Sequence, residues 1–360
     1  MTSLPLRARF GPPGRALAVL AAALVLVAAV MVATAGRAAS APKLPALPAD
    51  QLAASTIRAL GALPPVSGSV AARVDLGLPQ LLDSTYGAAA SQVNSLFGDH
   101  RMRVWASADG LKVADLLAGA ERSVTVDARR RDAWAWDSGS STAYHLHVPE
   151  RARPEARPGG VPTPDPLTLA RLGLAELAPT TAVSVAGNAW VAGRAAYTLV
   201  LEPRSPATLV GRVEIGVDAE RRVPLRVSVY PRGSRVARVS AAFTSVRFGR
   251  VPASTFAFAP PPGAKVRQGD VAGPPGAAGQ SVAGYRPRTF GVGWATVAAV
   301  PVQAPEAARR PGSDALDPSS FLPFSGPLFS ASLVQRGDHA WLLVGAVPQR
   351  GLAAVESELR

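Results

Sequence analysis

The sequence predicts a mainly β chain with a few short helices. Apolar and polar residues alternate over short segments, and those segments concentrate β-branched and aromatic residues. Turn signals such as Asp109-Gly110, DARRR and SGSS separate them at regular spacing. Short strands spaced in this way make an antiparallel meander.

The elements follow in chain order. Ala16–Ala35 is uncharged and apolar, and its length of about 20 residues is enough to cross a bilayer as a helix. Arg7, Arg9 and Arg15 precede it without an acidic residue. Positive charge stays on the cytoplasmic side, so the chain after Ala35 is expected outside the membrane. The segment reads as an uncleaved anchor by its length, or as a cleaved signal by Ala33-Thr34-Ala35, which fits a cleavage site. The chain has no cysteine, which excludes a disulfide framework, thiol catalysis and thiolate metal sites.

Residues 1–15 thus form a cytoplasmic basic tail, 16–35 the membrane or signal segment, and 36–49 an Ala- and Pro-rich spacer. Asp50 is the expected N-cap of a helix over Gln51–Leu63, which Pro64-Pro65 stops. Strands are predicted at Val66–Leu76, Arg101–Ala106, Leu111–Leu117, Ser123–Asp127, Ala133–Asp137 and Ala143–Val148. A Pro-rich loop over 149–166 leads to a second short helix, Leu167–Leu177. Further strands are predicted at Ala182–Val191, Ala195–Glu202, Val210–Val217, Pro224–Tyr230, Val236–Phe248 and Phe256–Phe258. The first folded unit spans 50–266. Residues 267–288 read as a Pro/Gly-rich linker and 289–360 as a small C-terminal α+β domain. That unit carries strands at Thr289–Val300, Leu328–Gln335 and Ala340–Val347 and a terminal helix, Gly351–Leu359. Trp294, Phe329, Leu333, Trp341 and Val344 are its candidate core.

The net charge of +13 comes almost wholly from arginine. The arginines are dispersed, with short clusters at Arg129–Arg131 and Arg151–Arg157, and no dense stripe interleaves with stacking aromatics. That distribution argues against nucleic acid and leaves solvated faces or anionic lipid head groups as its meaning. Chemistry-bearing patterns are sparse. His145 and His147 share one side of a strand without an obvious third ligand, and both read as solvent-facing. His100 and His339 stand alone near turns. No G-x-S-x-G and no phosphate loop occur, and Asp127 and Asp132 flank a basic turn. The expectation is a binding protein, not an enzyme, with no cofactor and no metal.

The strand faces carry the functional signal. Trp134 and Trp136 share a side, as do Tyr144 with Leu146, Tyr197 with Leu199, and Leu225 with Val227. The loop after the first strand adds Leu78, Leu82 and Phe97. These eleven residues are the candidate apolar lining, read either as ordinary core or as a cavity that takes lipid chains.

Five segments resemble one family in its order. They are LGLPQL from Leu76, DAWAWDSGSSTAYHLHVP from Asp132, AGRAAYTLVLEPR from Ala192, VEIGVDAERRVPLRVSVY from Val213, and the stretch from Phe243 to Val266. Together they resemble the LolA-type lipoprotein carriers, particularly membrane-anchored actinobacterial-type members. The same fold occurs in the large domain of RseB/MucB-type regulators. The resemblance implies a strongly curved antiparallel sheet, an incomplete barrel, with helices closing an apolar cavity for acyl chains. It implies lipid or lipoprotein acyl chains and the cytoplasmic membrane as partners, with a transporter or an anti-sigma factor as a further membrane partner. It supplies no catalytic residue. A smaller C-terminal domain is foreign to simple carriers but matches the RseB plan, so a regulatory sensor stands as the alternative function.

Overall fold

The computed structural model describes residues 40–77, 97–117, 119–147, 179–270, 288–302, 322–336 and 339–359. The N-terminal apolar segment and the expected helix Leu167–Leu177 lie outside them. No helix among the described residues is long and apolar enough to cross a membrane. Those residues form a mainly β structure with two α-helices, α1 (Ala49–Gly61) and α2 (Gln349–Glu358).

The large sheet has 12 strands. In chain order they are β1 (Val66–Val74), β2 (Gly98–Ser107), β3 (Gly110–Leu117), β4 (Ala120–Asp127), β5 (Asp132–Asp137), β6 (Thr142–His147), β7 (Thr181–Val191), β8 (Arg194–Pro203), β9 (Val210–Asp218), β10 (Pro224–Pro231), β11 (Val239–Phe248) and β12 (Lys265–Asp270). Their order across the sheet is β12-β6-β5-β4-β3-β2-β1-β11-β10-β9-β8-β7. The sheet is curved and does not close into a barrel.

A single meander does not describe it. β2–β6 form one meander and β7–β11 another, and β1 joins them by pairing with β2 on one side and β11 on the other. The last strand breaks the antiparallel rule: β12 runs parallel to β6, with Lys265 opposite Thr142. A strand was expected at Phe256–Phe258, but Ala253–Phe256 is a 3-10 turn within a strap over residues 249–264. The strap starts where the Gly249 N–H bonds to Pro65 O at 2.9 Å and ends where the Lys265 N–H bonds to Ser141 O at 2.8 Å. A connection that crosses the sheet delivers a parallel strand, as a hairpin cannot. β12 escapes the alternation test because it is an edge strand carrying Lys265 and Arg267, charges that discourage edge-to-edge pairing.

Three hairpins use one device. The Asp127 carboxylate accepts the N–H groups of Arg129 and Arg130, at 2.9 and 3.0 Å. Asp137 accepts those of Gly139 and Ser140, and Asp218 those of Glu220 and Arg221. A short acidic side chain that satisfies its own turn's donors is the physical reason for an Asp at each strand end. Two glycines serve close packing instead. A Cβ on Gly68 would lie 2.2 Å from Ser245 O, and one on Gly110 would lie 2.2 Å from Val126 O and 2.8 Å from the Phe256 ring.

The N-terminal helix forms two residues earlier than expected. Pro48, not Asp50, is its N-cap, and no side chain caps it. Asp50 lies in the first turn and Arg58 in the last, each favourable to the helix dipole. Leu52, Ala53 and Thr56 face inward, and Thr56 Oγ1 donates to Leu52 O at 2.8 Å, which removes the cost of burying the hydroxyl.

The C-terminal unit has a sheet of its own: β13 (Arg288–Phe290), β14 (Val297–Val302), β15 (Phe324–Ser325), β16 (Ser330–Arg336) and β17 (His339–Gly345), in the order β13-β14-β17-β16-β15. Its core holds Val297, Ala299, Trp341 and Leu343 under Leu352 and Val355 of α2. Of the expected core residues only Trp341 belongs to that cluster. Trp294 instead packs with the large sheet's cluster and donates to Thr181 Oγ1 at 2.8 Å. Leu333 and Val344 are half-buried, and Phe329 packs on Phe324 with ring centroids 5.0 Å apart.

Candidate functional site

Strand register sorts the large sheet into two faces. On the first face β1 presents Val66, Val70 and Ala72, β2 presents Met102, Val104 and Ala106, and the β7–β11 half continues it through Val227, Ile215, Leu199 and Val185. Residues 44–56 cover that half. Leu52 and Ala53 of α1 pack with Tyr197, Leu199 and Val217, joined by Leu44 and Leu47 from the incoming chain. Tyr197 OH donates to Pro45 O at 3.0 Å, so the buried phenol has a partner.

The other half of the same face is different. Val104, Val113, Val124, Ala135 and Tyr144 stand opposite one another in one row across β2 to β6. Ala106, Leu111, Val126, Ala133 and Leu146 make the next row. Val124 is 49 % exposed, and Leu111, Val113, Val126, Ala135 and Tyr144 are half-buried. A polar row borders these two, formed by Asp115, Arg122 and Asp137. His100 Nδ1 lies 2.9 Å from Asp115 Oδ2, and Arg122 Nε donates to Asp137 Oδ2 at 3.1 Å. His100 is therefore not a lone turn residue; it sits on β2 beside a carboxylate. The arrangement is an apolar patch with a charged rim, suited to an amphiphile.

The opposite face holds the two tryptophans. Trp134 pairs across to His145, whereas its neighbour Ala135 pairs with Tyr144, so Trp134 and Trp136 do not share a face with Tyr144. The expectation that they line the same apolar surface is corrected by this one-residue parity. The strap covers them. Phe258 sits 5.3 Å from the Trp134 ring and 6.2 Å from the Trp136 ring, and Phe256, almost fully buried, packs on Gly110. His145 is not solvent-facing either. It stacks on Trp134 at 4.2 Å and lies between Asp132 Oδ1 and Gln268 Oε1, each at 3.1 Å. Among the described residues no three of His, Cys, Asp and Glu gather as a metal site would require.

The remaining candidates divide as follows. Tyr197 and Leu199 are buried beneath residues 44–56, and Leu225 and Val227 are buried in the cluster around β1. Phe97 is half-buried just before β2. Leu78, Leu82 and the Leu146 side chain lie outside the described residues. Sequence reasoning missed Leu111, Val113, Val124 and Val126, although their alternation on β3 and β4 was the signal for them.

Among the ionised groups, two aspartates are perturbed away from this site. Burial raises the Asp218 pKa, but the Arg194 ion pair and the turn N–H groups outweigh it and leave the carboxyl below the usual aspartate range. The Asp75 pKa is lowered mainly by its hydrogen bond from Arg238. A cleft of about 460 Å³ lies elsewhere, at the junction of the two sheets between Pro206, Phe290 and Val355.

No protein-family model matches the chain, and no curated protein matches it. Solved structures do show similarity. MucB in complex with MucA(peri) is 16 % identical over 86 % of this chain and 97 % of that one, with a TM-score of 0.46. The Pseudomonas aeruginosa MucA/MucB complex gives 16 %, 84 %, 96 % and 0.43 by the same measures. A LolA-superfamily protein from Nitrosomonas europaea is 13 % identical over 59 % of this chain and 99 % of its own, with a TM-score of 0.23.

Proposed function

We propose that this chain is a binding protein, not an enzyme, that shelters acyl chains of a lipid or lipoprotein on the apolar half-face of β3–β6. A single observation carries the reading: among the described residues, Val124 at 49 % exposure and the half-buried Val126, Ala135 and Tyr144 form an apolar patch on β4–β6 that belongs to none of the apolar clusters. Soluble surfaces seldom keep such a patch without a use. Removing a methylene from water is worth about 0.8 kcal/mol, so about five methylenes on these rows supply roughly millimolar binding and about ten roughly micromolar. The Arg122–Asp137 rim gives a polar head a place to remain hydrated or paired. The chain reaches its ligand from the membrane, held by the uncharged segment Ala16–Ala35 with the rest outside.

Native mass spectrometry of the full chain in detergent should find co-purified lipid. Displacement of a fluorescent fatty acid should give an affinity that Val124→Glu lowers at least tenfold, with the melting temperature unchanged. Unaltered affinity in that variant would overturn the site. A reporter active only in the cytoplasm, fused after Arg360, should be silent; activity would overturn the topology.

One observation favours a second reading, a regulator acting on a membrane protein such as an anti-sigma factor. The face of the five-stranded sheet away from Trp341 carries Val300, Leu342 and Leu333 in register, and Val300 is 37 % exposed. Leu342→Glu would impair this activity and leave fatty-acid displacement intact.

A further inference from the structure

The two ends of the large sheet differ in what they carry. At one end stands the C-terminal unit: Ala346 O accepts from Thr208 Oγ1 at 2.8 Å and from the Leu209 N–H at 2.7 Å. Register places the β7–β8 tip, the β9–β10 turn, the end of β11 and the β4–β5 turn at the opposite end. The described chain enters at that opposite end. Ser40 O accepts from Trp190 Nε1, Pro42 O from Asn188 Nδ2 and Pro45 O from Tyr197 OH, each at 3.0 Å. Leu44 and Leu47 then pack beneath α1. The entering segment is pinned to the sheet at every second or third residue rather than hung from it.

Chain length sets the next constraint. Ser40 lies five residues after Ala35, and five extended residues span at most about 18 Å. If Ala16–Ala35 crosses the bilayer, this end of the sheet cannot stand far from the head groups. Its composition suits that position. Trp190 is 50 % exposed, and an indole with an apolar body and a polar N–H favours the interface. Lys43, Arg131, Arg221 and Arg250 are exposed at this end. Among the acidic groups at this end, Asp218 and Glu220 pair with Arg194, Asp109 with Arg129, Asp127 with Arg130 and Asp132 with His145.

We propose that the Trp190 end of the twelve-stranded sheet docks on the anionic head-group layer of the bilayer that its own N-terminal segment spans. The C-terminal unit then stands at the far end, one strand length away. The proposal rests on the membrane-anchor reading above but not on acyl-chain binding.

The test uses the full chain in vesicles of three parts phosphatidylcholine to one part phosphatidylglycerol. Alkaline carbonate should leave the chain with the vesicles; release would overturn the proposal together with the anchor. A phosphatidylcholine spin-labelled near the glycerol should then quench tryptophan emission. Trp190→Phe should reduce the quenched fraction at least twofold, and Arg221→Glu with Arg250→Glu should reduce it while the chain stays anchored. Quenching that survives Trp190→Phe would overturn the docking surface. The acyl face gives no false signal here, because Trp134 and Trp136 lie on the other side of the sheet. A second measurement does not depend on the tryptophan. The chain has no cysteine, so Arg221→Cys and Ser205→Cys can each carry a single polarity-sensitive dye. The dye at position 221 should shift to the blue on reconstitution and that at 205 should not; equal responses would overturn the proposal.

Discussion

The two halves of one sheet face share a sequence pattern and differ in fate. Leu199 and Val217 on the β7–β9 side are 3 % and 0 % exposed, whereas Val124 on β4 is 49 % exposed. Alternation is equally clear in both, since it reports only which residues point the same way. What differs is the layer above. One half lies under α1 and the segment that leads into it, whereas Val124, Ala135 and Tyr144 belong to none of the three apolar clusters of the described residues. An apolar stripe on a strand therefore marks a demand for cover, and only the tertiary structure shows where that cover lies.

One large expected contrast is at the turns. Asp218 is fully buried against Arg194, while Asp137 on the open half is 29 % exposed against a 35 % exposed Arg122. Asp218→Asn should cost about 3 kcal/mol, because it removes the buried carboxylate of the pair and leaves Arg194 only the exposed Glu220, and Asp137→Asn about 1 kcal/mol or less. The comparison can be sharpened by pH. The native Asp218 pKa lies below its unfolded value of about 3.9, so its contribution is complete above that value and is lost as pH falls through the native one. Urea titrations between pH 2 and 7 should show a shallower acid limb in Asp218→Asn than in the parent. Parallel limbs would remove Asp218 from the account.

Next come the faces themselves. Leu199→Ala should cost about 2–5 kcal/mol by cavity formation, and Val124→Ala no more than about 0.5 kcal/mol. Equal losses in denaturant titrations would mean that the two halves are packed alike and would break the comparison. The smallest effect concerns the strap. Phe258→Ala should red-shift the tryptophan emission and lower stability by about 1–2 kcal/mol, with fatty-acid displacement unchanged. A loss of displacement would tie the strap face to the ligand.

Much of this fold was legible in the chain. The strands from β2 to β11, the helix near residue 50, the terminal helix and the separate C-terminal strands follow from alternation, from Asp at turns and from Pro64-Pro65. Alternation also paired Trp134 with Trp136 and Tyr197 with Leu199 correctly as same-side neighbours. It did not say that the tryptophans and Tyr144 look to opposite sides, because a relation between strands depends on register and on the number of turn residues between them. β12 carries no apolar alternation, since an edge strand in solvent needs none.

Sequence alone determined the β class, the positions of the strands, the uncharged N-terminal segment and the absence of thiol chemistry, because each of these is set by residues close in the chain. Only the tertiary structure decided that β1 joins two meanders, that Phe256 and Phe258 cover the tryptophan face, and that Ser40 is pinned to Trp190. It also left Val124 open while Leu199 was closed. Those outcomes depend on contacts between residues far apart in the chain, and no local pattern encodes which distant segment will lie on which face.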